Sequence, residues 1–168
     1  MRGPEASVDS ITDSVTGLPD GRVFSVVLDR KIALARRTLK PVSIIYFELD
    51  EFASFAPYVR EHAMRSTSRV ITNTVRDSDT ICDLGHGVLV ALLDDTSEAG
   101  AVWAADRVRN AYTDSPSRDI VTLSAGVACY PSHAMDPQDL LDAAQAACGS
   151  AKNHGPGRIE VAIEGDTF

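Results

Sequence analysis

The sequence predicts one α/β (α+β) domain, a mixed sheet with helices packed against it. Three observations lead there. Two apolar runs, residues 80–84 and 88–93, flank Gly85-His86-Gly87, and glycines supply the positive φ that a tight strand-to-strand turn needs. The second run lacks polar alternation, so it reads as a central strand buried on both faces. Around this hairpin, helical and strand patterns follow the order α-β-α-β-β-α-β-α-β, and a hairpin among crossover units makes the sheet mixed. The 168 residues carry no internal repeat or linker, which fits a single core.

Each element has its own cues. Residues 1–12 are polar and aperiodic, a loose lead-in. Residues 13–22 form a turn punctuated by Gly17 and Pro19, and Asp20 can cap the helix that follows. That helix covers about 21–38, with Phe24, Leu28, Ile32 and Ala35 on one stripe. Pro41 blocks helix and opens a β-branched and aromatic strand over 42–49. Its end carries Glu48 and Asp50, two apart and therefore on one face if the strand persists. Two acids at a strand end are also explained as solvated groups or helix-start residues.

A helical stretch interrupted near Pro57 resumes over about 58–75. After the hairpin, residues 94–97 cap a helix with the stripe Ala101, Ala105, Val108 and Tyr112. Trp103 on that helix reads as core or interface. Ser115-Pro116-Ser117 is a loop and residues 120–129 a strand closed by Tyr130-Pro131. Asp136-Pro137 starts a helix whose stripe is Leu140, Ala144, Ala147 and Ala151. His154 to Gly157 break it before a last strand over 159–163. The expected domain is 13–163, with a tail over 164–168. His62, His133 and His154 have no partners in spacing and read as exposed.

Charge and composition narrow the function classes. Net charge is −8 with no Lys/Arg run, which argues against nucleic acid or an anionic membrane as the main partner. A local basic pocket for a small anion remains compatible. The longest apolar run, 88–93, is too short to span a bilayer, and no signal peptide is read. Cys82, Cys129 and Cys148 are odd in number and lack metal-ligand spacing, so buried free thiols, no metal site and a cytoplasmic location are expected.

Five words, in order, carry a resemblance. They are Asp13-x-x-Thr16-Gly17-Leu18-Pro19; Asp50-x-Phe52; Arg76-x-x-Asp79; Ser124-x-Gly126-Val127-Ala128-x-Tyr130-Pro131; and Leu140-Leu141-x-x-Ala144 through Ala151-Lys152-x-x-Gly155. Together they resemble the GGDEF family, the diguanylate cyclases that join two GTP into cyclic di-GMP. The resemblance covers roughly residues 13–161. It implies a nucleotide-cyclase-like fold with a central, mixed, largely antiparallel five-stranded sheet surrounded by helices.

The sequence also departs from that pattern. The family's signature turn falls on Gly85-His86-Gly87-Val88-Leu89, where Gly87 and Val88 offer no carboxylate to hold Mg²⁺ against phosphates. The family's other metal carboxylate aligns with Glu48, and a lone acid places Mg²⁺ poorly. Imidazole is a poor partner for hard Mg²⁺, so His86 reads as a turn residue. The guanine-reading Asn and Asp align with Ala56 and Arg65; alanine makes no hydrogen bond and arginine cannot accept one. A phosphate-contacting lysine is kept as Lys152, whose place near a helix C-terminus the helix dipole also explains. The arginine four residues on is Pro156, and the lysine after Phe52 is Ala53. The resemblance therefore implies a catalytically inactive domain with no bound metal or cofactor.

Arg76-x-x-Asp79 lies five residues before the signature turn, where many family members bind cyclic di-GMP as an inhibitor. The guanidinium can fork to guanine O6 and N7, and the carboxylate can accept from N1–H and N2–H. The residues between them, Asp77 and Ser78, would line the same loop. The bland alternative is a surface ion pair. The expectation is a cyclic di-GMP receptor that signals to a protein partner and can dimerise on its ligand. A second reading is a protein-interaction module using the face around Ala56, Arg65 and His86. A third, residual cyclase, requires Mg²⁺-dependent GTP turnover that Glu48→Ala removes.

Overall fold

The computed structural model describes residues 11–113 and 121–164. The expected loop at 115–117, most of the lead-in and residues 165–168 lie outside the described residues. The chain runs α1 (Gly21–Thr38), β1 (Val42–Leu49), a 3₁₀ turn (Phe52–Ser54), α2 (Pro57–Thr74), β2 (Thr80–Gly85), β3 (Val88–Asp94), α3 (Glu98–Thr113), β4 (Leu123–Tyr130), α4 (Pro137–Asn153) and β5 (Ile159–Val161). This is the order read from the sequence.

The caps account for the helix starts. The Asp20 carboxylate accepts from the Arg22 and Val23 amides, and Asp136 does the same for Gln138 and Asp139. Pro57 and Pro137 sit in the first turn of their helices, where a missing N–H costs nothing. Pro57 therefore begins α2, and the expected break in the helical stretch falls at residues 55–56, between the 3₁₀ turn and α2. Ser97 Oγ accepts from the Gly100 amide at the start of α3.

The sheet order is β2-β3-β1-β4-β5. β1 is antiparallel to both β3 and β4, β2 is antiparallel to β3, and β5 lies parallel to β4. Alternate β1 residues feed two cores. Ile45, Phe47 and Leu49 meet α2 and α3 through Met64, Ile71, Ala105 and Val108. Ile44 and Tyr46 meet α1 and α4 through Phe24, Leu28, Ile32, Leu140 and Ala144. Both faces of β3 are covered, and every residue from Val88 to Leu93 is buried. Gly126 of β4 faces α4 so closely that a Cβ would fall inside 3.0 Å of the Ala144 carbonyl oxygen and the Cys148 amide nitrogen.

Several expectations need correction. The fourth strand is Leu123–Tyr130, shifted toward the cis Tyr130-Pro131 bond. Residues 11 and 12 are tied down: Thr12 bridges Pro19, and the Asp20 amide donates to the Ile11 carbonyl at 2.8 Å. His133 is buried, because its Nδ1 accepts from the Cys129 amide at 2.8 Å and its Nε2 lies 3.4 Å from Glu98 Oε2. His154 is exposed but pairs with Glu160 at 2.6 Å. All three cysteines are buried and free. Burial pushes the Cys148 thiol up to about 12 and the Cys82 thiol up to about 11, which keeps both protonated near neutral pH. No helix among the described residues is long and apolar enough to cross a membrane.

Candidate functional site

α2 ends at Thr74, and the chain turns sharply so that the Asp79 amide donates to the Arg76 carbonyl at 2.9 Å. This folds the Asp79 carboxylate back under the turn, where its side chain is 3% exposed. Its Oδ2 accepts from the Arg76 amide at 2.9 Å, and its Oδ1 from the Asp94 amide at 3.3 Å. The Arg76 guanidinium lies over it, with Nη2 at 3.4 Å from Oδ1, and also donates to the Asp94 carbonyl at 2.6 Å and Thr96 Oγ1 at 2.7 Å. Arg76 remains 58% exposed at the side chain, so its outer edge is free to meet solvent or a ligand.

The pair forms one wall of a cavity of about 290 Å³. Another part of the wall is α3, where Trp103 and Arg107 line the same space. The Arg107 guanidinium carbon lies 4.7 Å from the Trp103 ring centroid, a cation–π stack. Trp103 is 62% exposed, so of the two expected readings, core or interface, it is not a core residue. Sequence reasoning passed over Arg107; the available signal was its i, i+4 spacing from an aromatic residue. Asp77 and Ser78 are exposed in the turn, and Ser78 contributes its carbonyl to a bond from Lys31. The cavity thus presents two guanidinium groups, an indole face and a buried carboxylate, a set suited to a planar, hydrogen-bonding anion.

The second group of residues lies at the other end of β3. Gly85, His86 and Gly87 make the hairpin turn, with φ of 82°, 55° and 82°. A Cβ on Gly87 would lie 2.6 Å from Phe52 Cγ, so the ring of the Asp50-x-Phe52 word closes over the turn. Val88 and Leu89 belong to β3 and are buried among apolar neighbours. Glu48 pairs with Val88 across β1 and β3, and its carboxylate is held by Lys152 Nζ at 2.8 Å. That hydrogen bond raises the Lys152 ammonium above its ordinary range. Asp50 has different hydrogen-bond partners: Thr122 Oγ1 donates to it at 2.5 Å and Ser124 Oγ at 2.9 Å. Neither acid is a freely solvated group, and the charges of both act on Lys152. Lys152 is engaged by a specific carboxylate 104 positions away, beyond any helix-dipole effect. Ala56 is the N-cap of α2, and Arg65 pairs with Glu61 one turn away. Among the described residues no three His, Cys, Asp or Glu side chains gather as a metal site.

Asp83 is a functional candidate that sequence reasoning missed. It is 4% exposed, accepts from the Gly85 amide at 2.8 Å and from Thr16 Oγ1 at 3.1 Å, and faces Asp13, to which the same hydroxyl also points. Burial, reinforced by the Asp13 charge, raises the Asp83 carboxyl above the ordinary aspartate range. A raised pKa means that the folded state binds this proton more tightly than the unfolded chain. Its contribution to stability is therefore present below the unfolded pKa and lost as pH rises through the folded one. Asp83→Asn keeps the acceptor for Gly85 and removes the charge. The variant should melt above the wild type at neutral pH, with the difference shrinking toward about pH 4; a thermal melt series across pH checks this.

Residues 10–158 match the family described as Diguanylate cyclase, GGDEF domain. The chain is 27% identical over 159 residues to diguanylate cyclase DosC of Escherichia coli, covering 89% of this chain and 34% of that protein. It is 28% identical over 157 residues to the response regulator PleD of Caulobacter vibrioides, covering 87% of this chain and 35% of PleD. The chain thus spans about a third of the length of these relatives. Among solved structures, the GGDEF domain of PA1120 (TpbB or YfiN) from Pseudomonas aeruginosa superposes with a TM-score of 0.82 at 25% identity, over 90% of this chain and 94% of that one. The GGDEF domain of DgcB from Caulobacter crescentus, solved in complex with c-di-GMP, shares the fold at a TM-score of 0.77 and 18% identity, over 91% and 96%. With the match spanning most of the chain and the five-stranded sheet in place, this protein belongs to the GGDEF diguanylate cyclase family.

Proposed function

We propose that this domain is a catalytically inactive member of its family that serves as a cyclic di-GMP receptor and passes ligand occupancy to a protein partner. The observation that carries the reading is the cavity between the Arg76–Asp79 turn and the Trp103–Arg107 stack. A guanine offers O6 and N7 to a guanidinium, and N1–H and N2–H to a carboxylate. The indole and the second guanidinium supply stacking surface and a positive charge for the phosphates. Cyclic di-GMP combines those features. DgcB's complex with c-di-GMP is consistent with this ligand class on the shared fold.

Inactivity is supported by the other end of β3. Phosphoryl transfer between two nucleotides needs clustered carboxylates around Mg²⁺. Here Gly87 and Val88 contribute none, and Glu48 is neutralised by Lys152. Phe52 covers the turn, with the Arg60 guanidinium carbon 5.8 Å from its ring centroid. Incubation with GTP and Mg²⁺, followed by chromatography, should yield no cyclic di-GMP, and Glu48→Ala should change nothing. Turnover that Glu48→Ala abolishes would contradict the inactive reading. The alternative of a nucleotide-free interaction module draws on one observation: Arg76 already satisfies itself on Asp94, Thr96 and Asp79 without a ligand.

A further inference from the structure

Resting on the receptor reading above, we infer that Lys31 of α1 is a positioning residue for the Arg76–Asp79 site, acting through Asp94 and the Ser78 carbonyl. Lys31 Nζ lies 2.7 Å from Asp94 Oδ2 and 3.4 Å from the Ser78 carbonyl oxygen. Its side chain is 15% exposed, so a long cation has been drawn down against the end of the sheet. Lysine loses considerable rotamer freedom in such a position, and surface ion pairs rarely hold one so firmly.

What Lys31 grips is the residue that grips the site. The Asp94 amide donates to Asp79 Oδ1, and the Asp94 carbonyl accepts from Arg76 Nη2. The Asp94 side chain, through Lys31, ties that backbone to α1. The second Lys31 bond holds the Arg76–Asp79 turn from its other side. One ammonium therefore bridges the turn that carries Arg76 and Asp79 to the Asp94 backbone that bonds both of them. No other described cation bonds to both of these segments from a helix outside the cavity.

Charge gives Lys31 a second role. Asp79 and Asp95 line the site proposed for a ligand with two phosphates, and Asp94, next to Asp95 in the chain, bonds Arg76 through its carbonyl. Asp79 is matched by Arg76, Asp95 by Lys40 at 3.7 Å, and Asp94 by Lys31. Removing Lys31 leaves a carboxylate uncompensated beside an incoming dianion, and like charge at a binding surface opposes association.

The test is titration calorimetry with cyclic di-GMP on the wild type, Arg76→Ala, Lys31→Met, Lys31→Arg and the double variant Lys31→Met/Asp94→Asn. Methionine keeps the length and apolar stem, and melting curves establish that each variant is folded. Lys31→Met should weaken binding about tenfold, within the range of coupling between residues that share a network. Lys31→Arg should bind nearly as the wild type does. Asp94→Asn in the Lys31→Met background should recover part of the loss, because it removes the uncompensated charge, and a merely structural lysine would not give that recovery. A wild type that binds while Lys31→Met binds equally well overturns the role of Lys31 alone. A silent wild type overturns the receptor reading, and the positioning role toward the dinucleotide goes with it.

Discussion

Alanine at position 76 is expected to abolish stabilisation of this domain by cyclic di-GMP. A ligand present at a hundred times its dissociation constant stabilises the folded state by about 2.7 kcal/mol. For a domain of this size that corresponds to a melting rise of roughly 5–10 °C. Arg76→Ala should show no such rise, because the side chain supplies the fork to the guanine edge and half of the cover over Asp79. The unliganded variant should melt close to the wild type. Arg76 is largely exposed, and the Asp79 carboxylate keeps its backbone donors, the amides of residues 76 and 94. Differential scanning fluorimetry with and without the dinucleotide separates the two effects. A variant that responds as strongly as the wild type would place the ligand elsewhere.

The largest effect on stability belongs to Gly126. β4 crosses beneath α4 with no room for a side chain: a Cβ would collide with the Ala144 carbonyl oxygen and the Cys148 amide nitrogen, both backbone atoms of a helix. Backbone cannot swing aside as the end of a flexible side chain can, so the helix must lift from the sheet. Gly126→Val should cost roughly 3 kcal/mol or more, a fall in melting temperature of about 6–12 °C or failure to fold. Lifting α4 would also separate Lys152 from Glu48 and uncover Cys148. Chemical denaturation measures the loss, and thiol labelling of Cys148 reports the opening.

Local signals made much of the fold legible. α1 and α4 announced themselves by capping aspartates and by stripes of Phe24, Leu28, Ile32 and Ala35, and of Leu140, Ala144, Ala147 and Ala151, all of which are buried. The hairpin was legible because only glycine-rich words turn a strand so tightly, and its second strand because apolar residues without alternation need cover on both faces. Strand order was not carried by any such word. It reflects pairings such as Val42 with Asp94 on one side and Tyr130 on the other, which local pattern cannot encode. That order entered through the family resemblance.

The candidate site divides the same way. Arg76 and Asp79 were legible because they stand three positions apart in a single turn. Trp103 and Arg107 join them only because the β3–α3 connection folds α3 back beside that turn, so the tryptophan read only as core or interface. Lys31 and Lys152 each find a carboxylate many positions away, and nothing local distinguishes such lysines from solvated ones. Asp83 was passed over as an ordinary strand residue, since its burial depends on the opening turn at Asp13 and Thr16 packing against it.

The central claim meets its most direct test in a calorimetric titration of the wild-type domain with cyclic di-GMP, with GTP and Mg²⁺ as the control titrant. The receptor account predicts saturable heat with the dinucleotide at low-micromolar affinity and none with GTP. Silence with cyclic di-GMP would contradict it and leave Arg76 and Asp79 as an ion pair on the face of a protein-interaction module.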